Sequence, residues 1–307
     1  QAEPDTEFST VKVPNPEERD AFELALKYAE ENRAELVLAT DPDADRLGVL
    51  VRDNDGHYQG LTGNQLGVVL LYYLLSQHQR RGTLPQDGVV MKSIASTDLA
   101  DVIAADFGVK LTNVLVGFKY IGEQIKLMED QGSGTFLFGF EESNGYLAGT
   151  YARDKDAVQA AALTAEAALY YKETESKTLL DVLRHIFDTY GYYLDEQVAM
   201  SFPGLEGKEK MERIMADLRG QQKTDIGGIP LEVMEDYLTG KGVKLPEGEE
   251  YSLTLPQANV LRFGFQGGGY VMARPSGTEP KIRFYFCVRG ETEQEAKAAL
   301  EKVKSEF

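Results

Sequence analysis

The chain has 307 residues with a hydrophobic share of 42%, enough for two or three domains with their own cores. Its formal net charge of −18 argues against nucleic acid or an anionic membrane as a partner, because both are negatively charged. A single cysteine, Cys287, excludes an intrachain disulfide framework, and we find neither a signal peptide nor an apolar run long enough to span a bilayer. We therefore predict a soluble, cytoplasmic protein.

The first 62 residues are predicted to form part of an α/β unit. Residues 15–18 have the composition of a helix start, with Asn15 as N-cap and Pro16 at the first helical position, and predict a helix to about Asn32. Two apolar segments of strand type follow, at residues 36–39 and 47–51. This segment is too small to be a complete α/β unit.

Residues 63–191 alternate between helical and strand-like patterns with short connections. The predicted helices cover residues 63–77, 97–107, 118–130, 156–172 and 179–190, and the predicted strands cover residues 88–91, 114–116 and 135–138. Such alternation predicts a mostly parallel sheet with helices on both faces. Binding sites in such folds lie at the carboxyl ends of the strands.

From residue 192 the pattern changes to strands that are close together in sequence. They are predicted at residues 198–202, 250–255, 260–265, 270–274 and 282–288, with helices at 209–218 and 293–306 and a loop at 238–248. The predicted fold class is therefore α/β, with two three-layer α/β/α mixed-sheet units, the first one partial, followed by a C-terminal α+β domain with an antiparallel sheet. The predicted domains are residues 1–62, 63–191 and 192–307.

Three carboxylates at alternate positions connect the first two strands: Asp41, Asp43 and Asp45. They repel one another unless a cation lies among them, and Mg²⁺ favours such oxygen ligands while leaving positions open for a phosphate. A calcium EF-hand loop is excluded, because its sixth and twelfth positions would be Arg46 and Arg52. We predict a metal-assisted phosphoryl-transfer site, with a solvated acidic turn as the alternative that the spacing alone leaves open.

Two further segments of the predicted middle domain carry polar groups at strand ends. Residues 139–146 include Glu141 and Ser143 in a glycine-bounded loop whose groups can bind the vicinal hydroxyls of a sugar, although an ordinary polar turn would look the same. Lys119 begins a helix, where a cation opposes the helix dipole, and it is either the partner of a bound anion or a solvated surface lysine.

The third segment lies between two predicted strands of the last domain. Gly277 allows a turn whose backbone N–H groups can converge on an anion, and Ser276 and Thr278 add hydroxyl donors. Arg274 and Arg283 can each bind phosphate oxygens with two parallel hydrogen bonds. This combination predicts a phosphate-binding loop.

Together and in this order, the three loops resemble those of the α-D-phosphohexomutases. That family has four domains, each of which gives one loop to a central cleft. The metal loop of the second domain is similar to residues 41–46, the sugar loop of the third to residues 139–146, and the phosphate loop of the fourth to residues 274–278. The resemblance implies that residues 1–62 are the latter part of the second domain, and that the third and fourth follow.

One departure from the family pattern is large. The family's first domain carries a catalytic phosphoserine in a Thr-Ala-Ser-His-Asn-Pro type of loop, and no histidine of this chain is followed by asparagine. We therefore expect this chain to be a fragment without the catalytic serine and without activity alone. The loop at residues 139–146, with residues 153–156 soon after, is most similar to the phosphoglucomutase and phosphopentomutase branch, which favours glucose phosphate over mannose or glucosamine phosphate.

The resemblance also implies a role for each residue. Asp41, Asp43 and Asp45 would hold Mg²⁺, and the cofactor would neutralise charge on the transferring phosphoryl group. Arg46 and Lys119 would stabilise that group, with Lys119 a candidate for assisting proton transfer. The substrate-binding residues would be Glu141 and Ser143 for the sugar hydroxyls, and Arg274, Ser276, Gly277, Thr278 and Arg283 for the phosphate that is not reacting. The partners would be glucose 1-phosphate, glucose 6-phosphate and glucose 1,6-bisphosphate.

Three alternatives stay open at this point. A phosphomannomutase or phosphopentomutase of the same family would carry similar loops. A phosphohydrolase of the haloacid-dehalogenase type would use Asp41 as nucleophile, although the threonine that usually follows is absent and Arg46 is unusual there. A sugar-phosphate-binding module without chemistry is the third alternative.

Overall fold

The computed structural model describes residues 5–204, 206–277 and 279–307. The chain divides into two compact units, Gln1–Tyr190 and Gly191–Phe307. None of the helices in the described part of the chain is long and apolar enough to cross a membrane.

The first unit begins with a small antiparallel sheet. A 3₁₀ turn at Arg19–Phe22 leads into helix α1 (Glu23–Asn32), and strands β1 (Leu36–Thr40), β2 (Leu47–Arg52) and β3 (Tyr58–Leu61) follow in spatial order β1-β2-β3. The helix begins later than residues 15–18 predicted. Asn15 still accepts a hydrogen bond from the Glu17 N–H group at 3.1 Å, but this closes a turn instead of starting a helix.

The second sheet of this unit is mixed. Its strands are β4 (Gly88–Ser93), β5 (Lys110–Val114), β6 (Thr135–Glu141) and β7 (Gly145–Ala148), in the order β5-β4-β6-β7. Strands β5, β4 and β6 are parallel to one another, and β7 is antiparallel to β6. The helices are α2 (Gly63–Arg81), α3 (Leu99–Asp106), α4 (Phe118–Gln131), α5 (Ala157–Glu175) and α6 (Leu179–Tyr190).

Two glycines show that helices cover both faces of this sheet. A Cβ atom on Gly67 of α2 would lie 2.4 Å from the ring of Phe140 in β6. A Cβ atom on Gly139, the residue before Phe140 in β6, would lie 3.0 Å from Ile121 of α4. Because neighbouring residues of a strand point to opposite faces, α2 and α4 lie on opposite sides. The predicted α/β/α layering is confirmed.

The second unit is built on one antiparallel sheet. Its elements are β8 (Tyr192–Ser201), α7 (Gly207–Gly220), β9 (Asp225–Ile226), β10 (Ile229–Asp236), β11 (Lys241–Lys244), β12 (Glu249–Ser252), β13 (Leu261–Phe265), β14 (Gly269–Pro275), β15 (Lys281–Gly290) and α8 (Glu293–Glu306). The strand order is β12-β11-β10-β13-β14-β15-β8, with β9 paired to β10. The predicted α+β fold is confirmed. The prediction of a loop at residues 238–248 is wrong, because strand β11 lies within these residues.

The core of this unit lies between the sheet and its helices. Met215 of α7 and Val303 of α8 are buried in one cluster with Val271 of β14 and Phe284 of β15. Alternation along the strands turns Arg274 and Arg283 away from this cluster. Their side chains are therefore placed on the other face of the sheet.

Candidate metal and sugar-phosphate sites

The predicted metal loop is the connection between β1 and β2. One carboxylate oxygen from each of Asp41, Asp43 and Asp45 can be chosen so that all three lie within 4.8 Å of one another. Asp41 Oδ1 accepts hydrogen bonds from the N–H groups of Asp45 and Arg46, both at 3.0 Å, and so closes the loop. Ala44 completes the turn with a left-handed φ of 55°. The sequence therefore folds locally into a cluster of carboxylates.

The electrostatics of the cluster are uneven. Burial, with the neighbouring carboxylates of Asp45 and Asp43, raises the pKa of Asp41. Burial would also raise the pKa of Asp45, but hydrogen bonds from Lys155 and Asp41 outweigh it and hold that pKa below its ordinary value. The other oxygen, Asp45 Oδ1, is buried and accepts no hydrogen bond from the described residues. The Arg46 guanidinium lies close to it, with its Nε atom 3.7 Å away and without a hydrogen bond, so the hydrogen-bonding capacity of this oxygen is unused.

Lys155 is a site residue that sequence reasoning missed. Its Nζ atom lies 2.5 Å from Asp45 Oδ2, and its side chain is only 14% exposed. The stem passes over Gly145, where a Cβ atom would lie 2.4 Å from Lys155 Cδ. The sequence does contain a signal for it, the charged segment at residues 153–156. That segment served above only to favour the phosphoglucomutase and phosphopentomutase branch of the family. The ammonium group of Lys155 therefore neutralises part of the negative charge of the carboxylate cluster.

The metal loop and the predicted sugar loop are joined by backbone hydrogen bonds. Arg46 and Gly145 form an isolated antiparallel bridge. The Leu47 N–H group donates to the Asn144 carbonyl at 3.0 Å, and the Asn144 side-chain amide donates to the Leu47 carbonyl at 3.2 Å. The structure thus brings together two loops that are far apart in sequence.

Glu141, at the end of β6, is only 4% exposed. Its Oε1 atom accepts a hydrogen bond from the Gly117 N–H group at 2.6 Å. Burial, together with the neighbouring Glu142 carboxylate, raises the pKa of Glu141 to about 7 from an ordinary 4.5. Glu141 therefore ties the sugar loop to the start of α4 and titrates near neutrality.

The two residues after Glu141 differ in their surroundings. Glu142 accepts a hydrogen bond from the Ser93 hydroxyl at the end of β4, at 2.8 Å. Ser143 is half-buried, and its hydroxyl forms no hydrogen bond with the part of the chain that the structure describes. Its hydroxyl is therefore available to a ligand.

The two predicted catalytic cations differ in exposure. Lys119 is exposed in the first turn of α4, and its Nζ atom lies 4.9 Å from the centroid of the Tyr120 ring. Arg46 is half-buried, forms an ion pair with Glu17 at 3.2 Å, and places its Nε atom 3.6 Å from Asp41 Oδ2. The structure brings Arg46 to the carboxylate cluster. Lys119 is connected to the sugar loop through Gly117 and Glu141.

The predicted phosphate loop lies in the second unit, between β14 and β15. Arg274 and Arg283 are directly opposite each other across these strands. Like charges in this position repel, and neither guanidinium forms an ion pair with a carboxylate of the described residues. The arrangement leaves two positive charges available to an anion.

Ser276 and Gly277 are described residues of the turn that follows this arginine pair. The Ser276 hydroxyl accepts a hydrogen bond from the Glu279 N–H group at 3.2 Å, which places it inside the turn. A Cβ atom on Gly277 would meet no heavy atom of the described residues within 4 Å, so none of these residues fills the space beside its backbone. Thr278, the remaining predicted residue, lies outside the described residues.

Comparisons with known proteins define the class. Residues 62–190 match the family description "Phosphoglucomutase/phosphomannomutase, alpha/beta/alpha domain III", and residues 1–56 match domain II of the same family. The chain belongs to this family, the α-D-phosphohexomutases, as its loops predicted. Among curated relatives, it is 41% identical over 288 residues to the phosphoglucomutase of Staphylococcus haemolyticus and 38% identical over 289 residues to that of Staphylococcus aureus.

Both alignments cover 94% of this chain and 51% of the relative, so the chain spans about half the length of the curated relatives it matches. Solved structures show the same fold. Parafusin, a phosphoglucomutase of Paramecium, superposes with a TM-score of 0.64 at 20% identity over 95% of this chain and 48% of that one. A phosphoglucomutase/phosphomannomutase family protein of Burkholderia thailandensis superposes with a TM-score of 0.62 at 16% identity, over 96% of this chain and 50% of that one.

Proposed function

We propose that this chain is part of a phosphoglucomutase, which interconverts glucose 1-phosphate and glucose 6-phosphate through glucose 1,6-bisphosphate. The observation that carries the proposal is the attachment of the carboxylate cluster to the sugar loop through Arg46 and Gly145. The identity to curated phosphoglucomutases favours glucose as the sugar. We further propose the domain assignment of residues 1–62, 63–191 and 192–307 to the latter part of domain two, domain three and domain four.

The metal that we propose is Mg²⁺, held by Asp41, Asp43 and Asp45. Three carboxylates are hard oxygen ligands of the kind that Mg²⁺ prefers, and the buried Asp45 Oδ1 atom has no hydrogen bond among the described residues. When bound, the ion supplies positive charge that neutralises the transferring phosphoryl group. The donor set therefore fits the ion.

The residues around the cluster are proposed to act on the phosphoryl group and the sugar. Arg46 would stabilise the negative charge of the phosphoryl group from its position beside Asp41. Lys119 is exposed and would stabilise the same group and assist proton transfer at the sugar hydroxyl. Glu141 and Ser143 would bind sugar hydroxyls, which requires Glu141 to share its oxygens with the Gly117 N–H group.

The arginine pair of the second unit is proposed to bind a phosphate of the substrate. Arg274 and Arg283 supply charge, and Ser276, Gly277 and Thr278 would supply hydroxyl and backbone donors. The partners are therefore small-molecule sugar phosphates. We propose the cytoplasm as the compartment, since the single cysteine, Cys287, is buried and suits reducing conditions.

The proposal is tested with the protein expressed from its complete reading frame. We expect Mg²⁺-dependent conversion of glucose 1-phosphate to glucose 6-phosphate. Asp43→Asn should lower kcat/KM by about 100-fold or more, as is typical when a transition-state stabiliser is lost. Asp55→Asn, a matched change in the exposed turn after β2, should leave it unchanged.

Two results would overturn the proposal. One is release of inorganic phosphate without isomerisation, abolished by Asp41→Asn, which would indicate a phosphohydrolase. The other is sugar-phosphate binding without any turnover, which would indicate a binding module.

A further inference from the structure

The side chain of Asn144 lies between the metal loop and the sugar loop. It is 5% exposed, and its amide donates a hydrogen bond to the Leu47 carbonyl at 3.2 Å, while the Leu47 N–H group donates to the Asn144 carbonyl at 3.0 Å. The backbone of Asn144 has a left-handed φ of 61°, which glycine adopts more readily. What asparagine adds at this position is therefore the side-chain amide and its bond to the metal loop.

Asn144 is itself held by the start of helix α2. A Cβ atom on Gly63, the first residue of that helix, would lie 2.7 Å from both the backbone nitrogen and the side-chain oxygen of Asn144, so the helix packs directly against this residue. Tyr146 is 1% exposed and donates from its hydroxyl to the Gly63 carbonyl at 3.2 Å. Thr62 and Gln65 close this end of the helix with reciprocal hydrogen bonds. The Asn144 amide is thus presented from a fixed support.

The bond to Leu47 fixes the end of the metal loop. Leu47 directly follows Arg46 in the chain, and the Arg46 Nε atom lies 3.6 Å from Asp41 Oδ2 and 3.7 Å from Asp45 Oδ1. Asp41 Oδ1 accepts hydrogen bonds from the N–H groups of Asp45 and Arg46, both at 3.0 Å. Because these groups are joined by short stretches of backbone, a shift of Leu47 displaces Arg46 and the carboxylate cluster together. Their position relative to the sugar loop therefore depends on the Asn144 amide.

The metal loop is also attached to the segment that follows β7. The Ala157 N–H group, at the start of α5, donates to the Ala44 carbonyl at 2.9 Å, and Lys155 pairs with Asp45. These contacts hold the loop against α5 whether or not the Asn144 amide is present. Loss of that amide should therefore change the alignment of the two loops and leave each of them folded.

We propose that Asn144 is a positioning residue, whose amide aligns the carboxylate cluster and Arg46 with the sugar loop. In this role it acts through Leu47 instead of contacting the substrate. The inference rests on the proposed function, because the aligned groups are those proposed to act on the phosphoryl group and the sugar. A misplacement of about 1 Å between such groups lowers a rate by as much as about 100-fold.

The first measurement is amide hydrogen exchange of the 307-residue chain without metal or sugar phosphate. The N–H groups of residues 44–47 are hydrogen-bonded, so their exchange rates report the opening of the metal loop. Asn144→Gly, which accepts the left-handed φ, should raise these rates at least about 5-fold, as expected for the loss of one hydrogen bond. The increase should not depend on low concentrations of urea, because a local opening exposes little surface.

A second variant and a control assign the effect to the amide. Asn144→Asp keeps the shape of the side chain and tolerates the same φ, but its ionised carboxylate cannot donate to Leu47, so the exchange rates should rise as in Asn144→Gly. Asn32→Gly is the matched control, because the Asn32 amide also donates to a backbone carbonyl, that of Tyr28 at 2.8 Å, but lies at the end of α1. It should leave the exchange of residues 44–47 unchanged.

The second measurement is the turnover of glucose 1-phosphate with Mg²⁺ by the protein expressed from its complete reading frame. Asn144→Gly should lower kcat at least about 10-fold and change KM by less than about 3-fold, because both loops keep their ligand-binding groups and lose only their alignment. Asn32→Gly should change neither constant. Circular dichroism under the assay conditions should show the same folded fraction in all variants, so the fall in kcat is not a loss of folded enzyme.

The inference fails on either of two results. One is equal exchange of residues 44–47 in the wild type, Asn144→Gly and Asn144→Asp. The other is faster exchange in Asn144→Gly with an unchanged kcat, which would leave Asn144 a purely structural role. Failure of the proposed function is distinguishable, because the wild type itself would then not interconvert the glucose phosphates, while the exchange rates would still decide whether Asn144 holds the metal loop.

Discussion

The Lys155 ammonium group lies 2.5 Å from the Asp45 carboxylate and occupies the side of the cluster that faces β7. The pair places a monovalent cation where three carboxylates would otherwise repel one another. A divalent cation that binds these carboxylates must share Asp45 with Lys155. The two cations therefore compete.

Lys155→Met should consequently tighten the binding of Mn²⁺, used as a probe for the divalent site, by about 5- to 20-fold. The variant keeps an apolar stem that can pass over Gly145, but it removes the competing charge. Isothermal titration calorimetry measures the effect. Lys172→Met is the matched control, because Lys172 is exposed and pairs with Glu35 instead. Weaker Mn²⁺ binding in Lys155→Met than in Lys172→Met would contradict the competition.

Glu141 should make the stability of the protein fall as pH rises toward neutrality. Its pKa is raised to about 7 in the folded protein from an ordinary 4.5, so the folded state holds the proton more tightly than the unfolded chain. Its contribution to the free energy of unfolding is therefore present below pH 4.5 and is lost as pH rises through about 7. The loss is on the order of 3 kcal/mol.

Urea unfolding of the wild type and Glu141→Gln at several pH values measures this loss, because glutamine keeps the acceptor for Gly117 but does not titrate. Glu123→Gln, an exposed change on α4, is the control and should behave as the wild type. If the free energy of unfolding changed with pH to the same extent in Glu141→Gln and the wild type, the raised pKa of Glu141 would be contradicted.

Ala44→Gly should stabilise the protein by about 0.5–1 kcal/mol. Ala44 has a φ of 55°, which costs an L-residue roughly 1–2 kcal/mol and costs glycine nothing. Part of this gain is offset, because glycine loses more backbone entropy on folding. Ala162→Gly, on the exposed face of helix α5, should instead destabilise by about 1 kcal/mol. Equal losses in the two variants would mean that Ala44 carries no strain.

Arg274→Ala should weaken the binding of glucose 6-phosphate by about 1.5–3 kcal/mol, as expected for a hydrogen bond to a charged group. The free energy of unfolding without ligand should not fall, because the substitution also relieves repulsion from Arg283 directly opposite. Calorimetry and urea unfolding measure the two quantities. Arg213→Ala, on the exposed side of α7, removes the same charge and should change neither. Unchanged affinity in Arg274→Ala would contradict its assignment.

The sequence alone predicted the features that depend on local pattern. The strands on either side of Asp41 formed as the apolar runs predicted, and the alternating helices and strands produced the layered sheet. The arginines flanking Ser276 were placed on two strands, but only the register of β14 and β15 shows that they face each other.

The features that sequence did not predict depend on contacts between distant segments. Lys155 is brought to Asp45 by the path of α5 and β7, which no local pattern encodes. The burial of Glu141 arises because the start of α4 packs over the end of β6. Strand β11 was missed because its lysines and glycine resemble a loop, and it forms by pairing with β10 and β12.

The most direct test of the central claim is the affinity of the 307-residue chain for glucose 6-phosphate in the presence of Mg²⁺, measured by calorimetry beside mannose 6-phosphate. We predict that glucose 6-phosphate binds more tightly and that Ser143→Ala, which removes a hydroxyl free of hydrogen bonds within the described residues, weakens it. Tighter binding of mannose 6-phosphate, or no binding of either sugar phosphate by the folded chain, would contradict the assignment to a phosphoglucomutase.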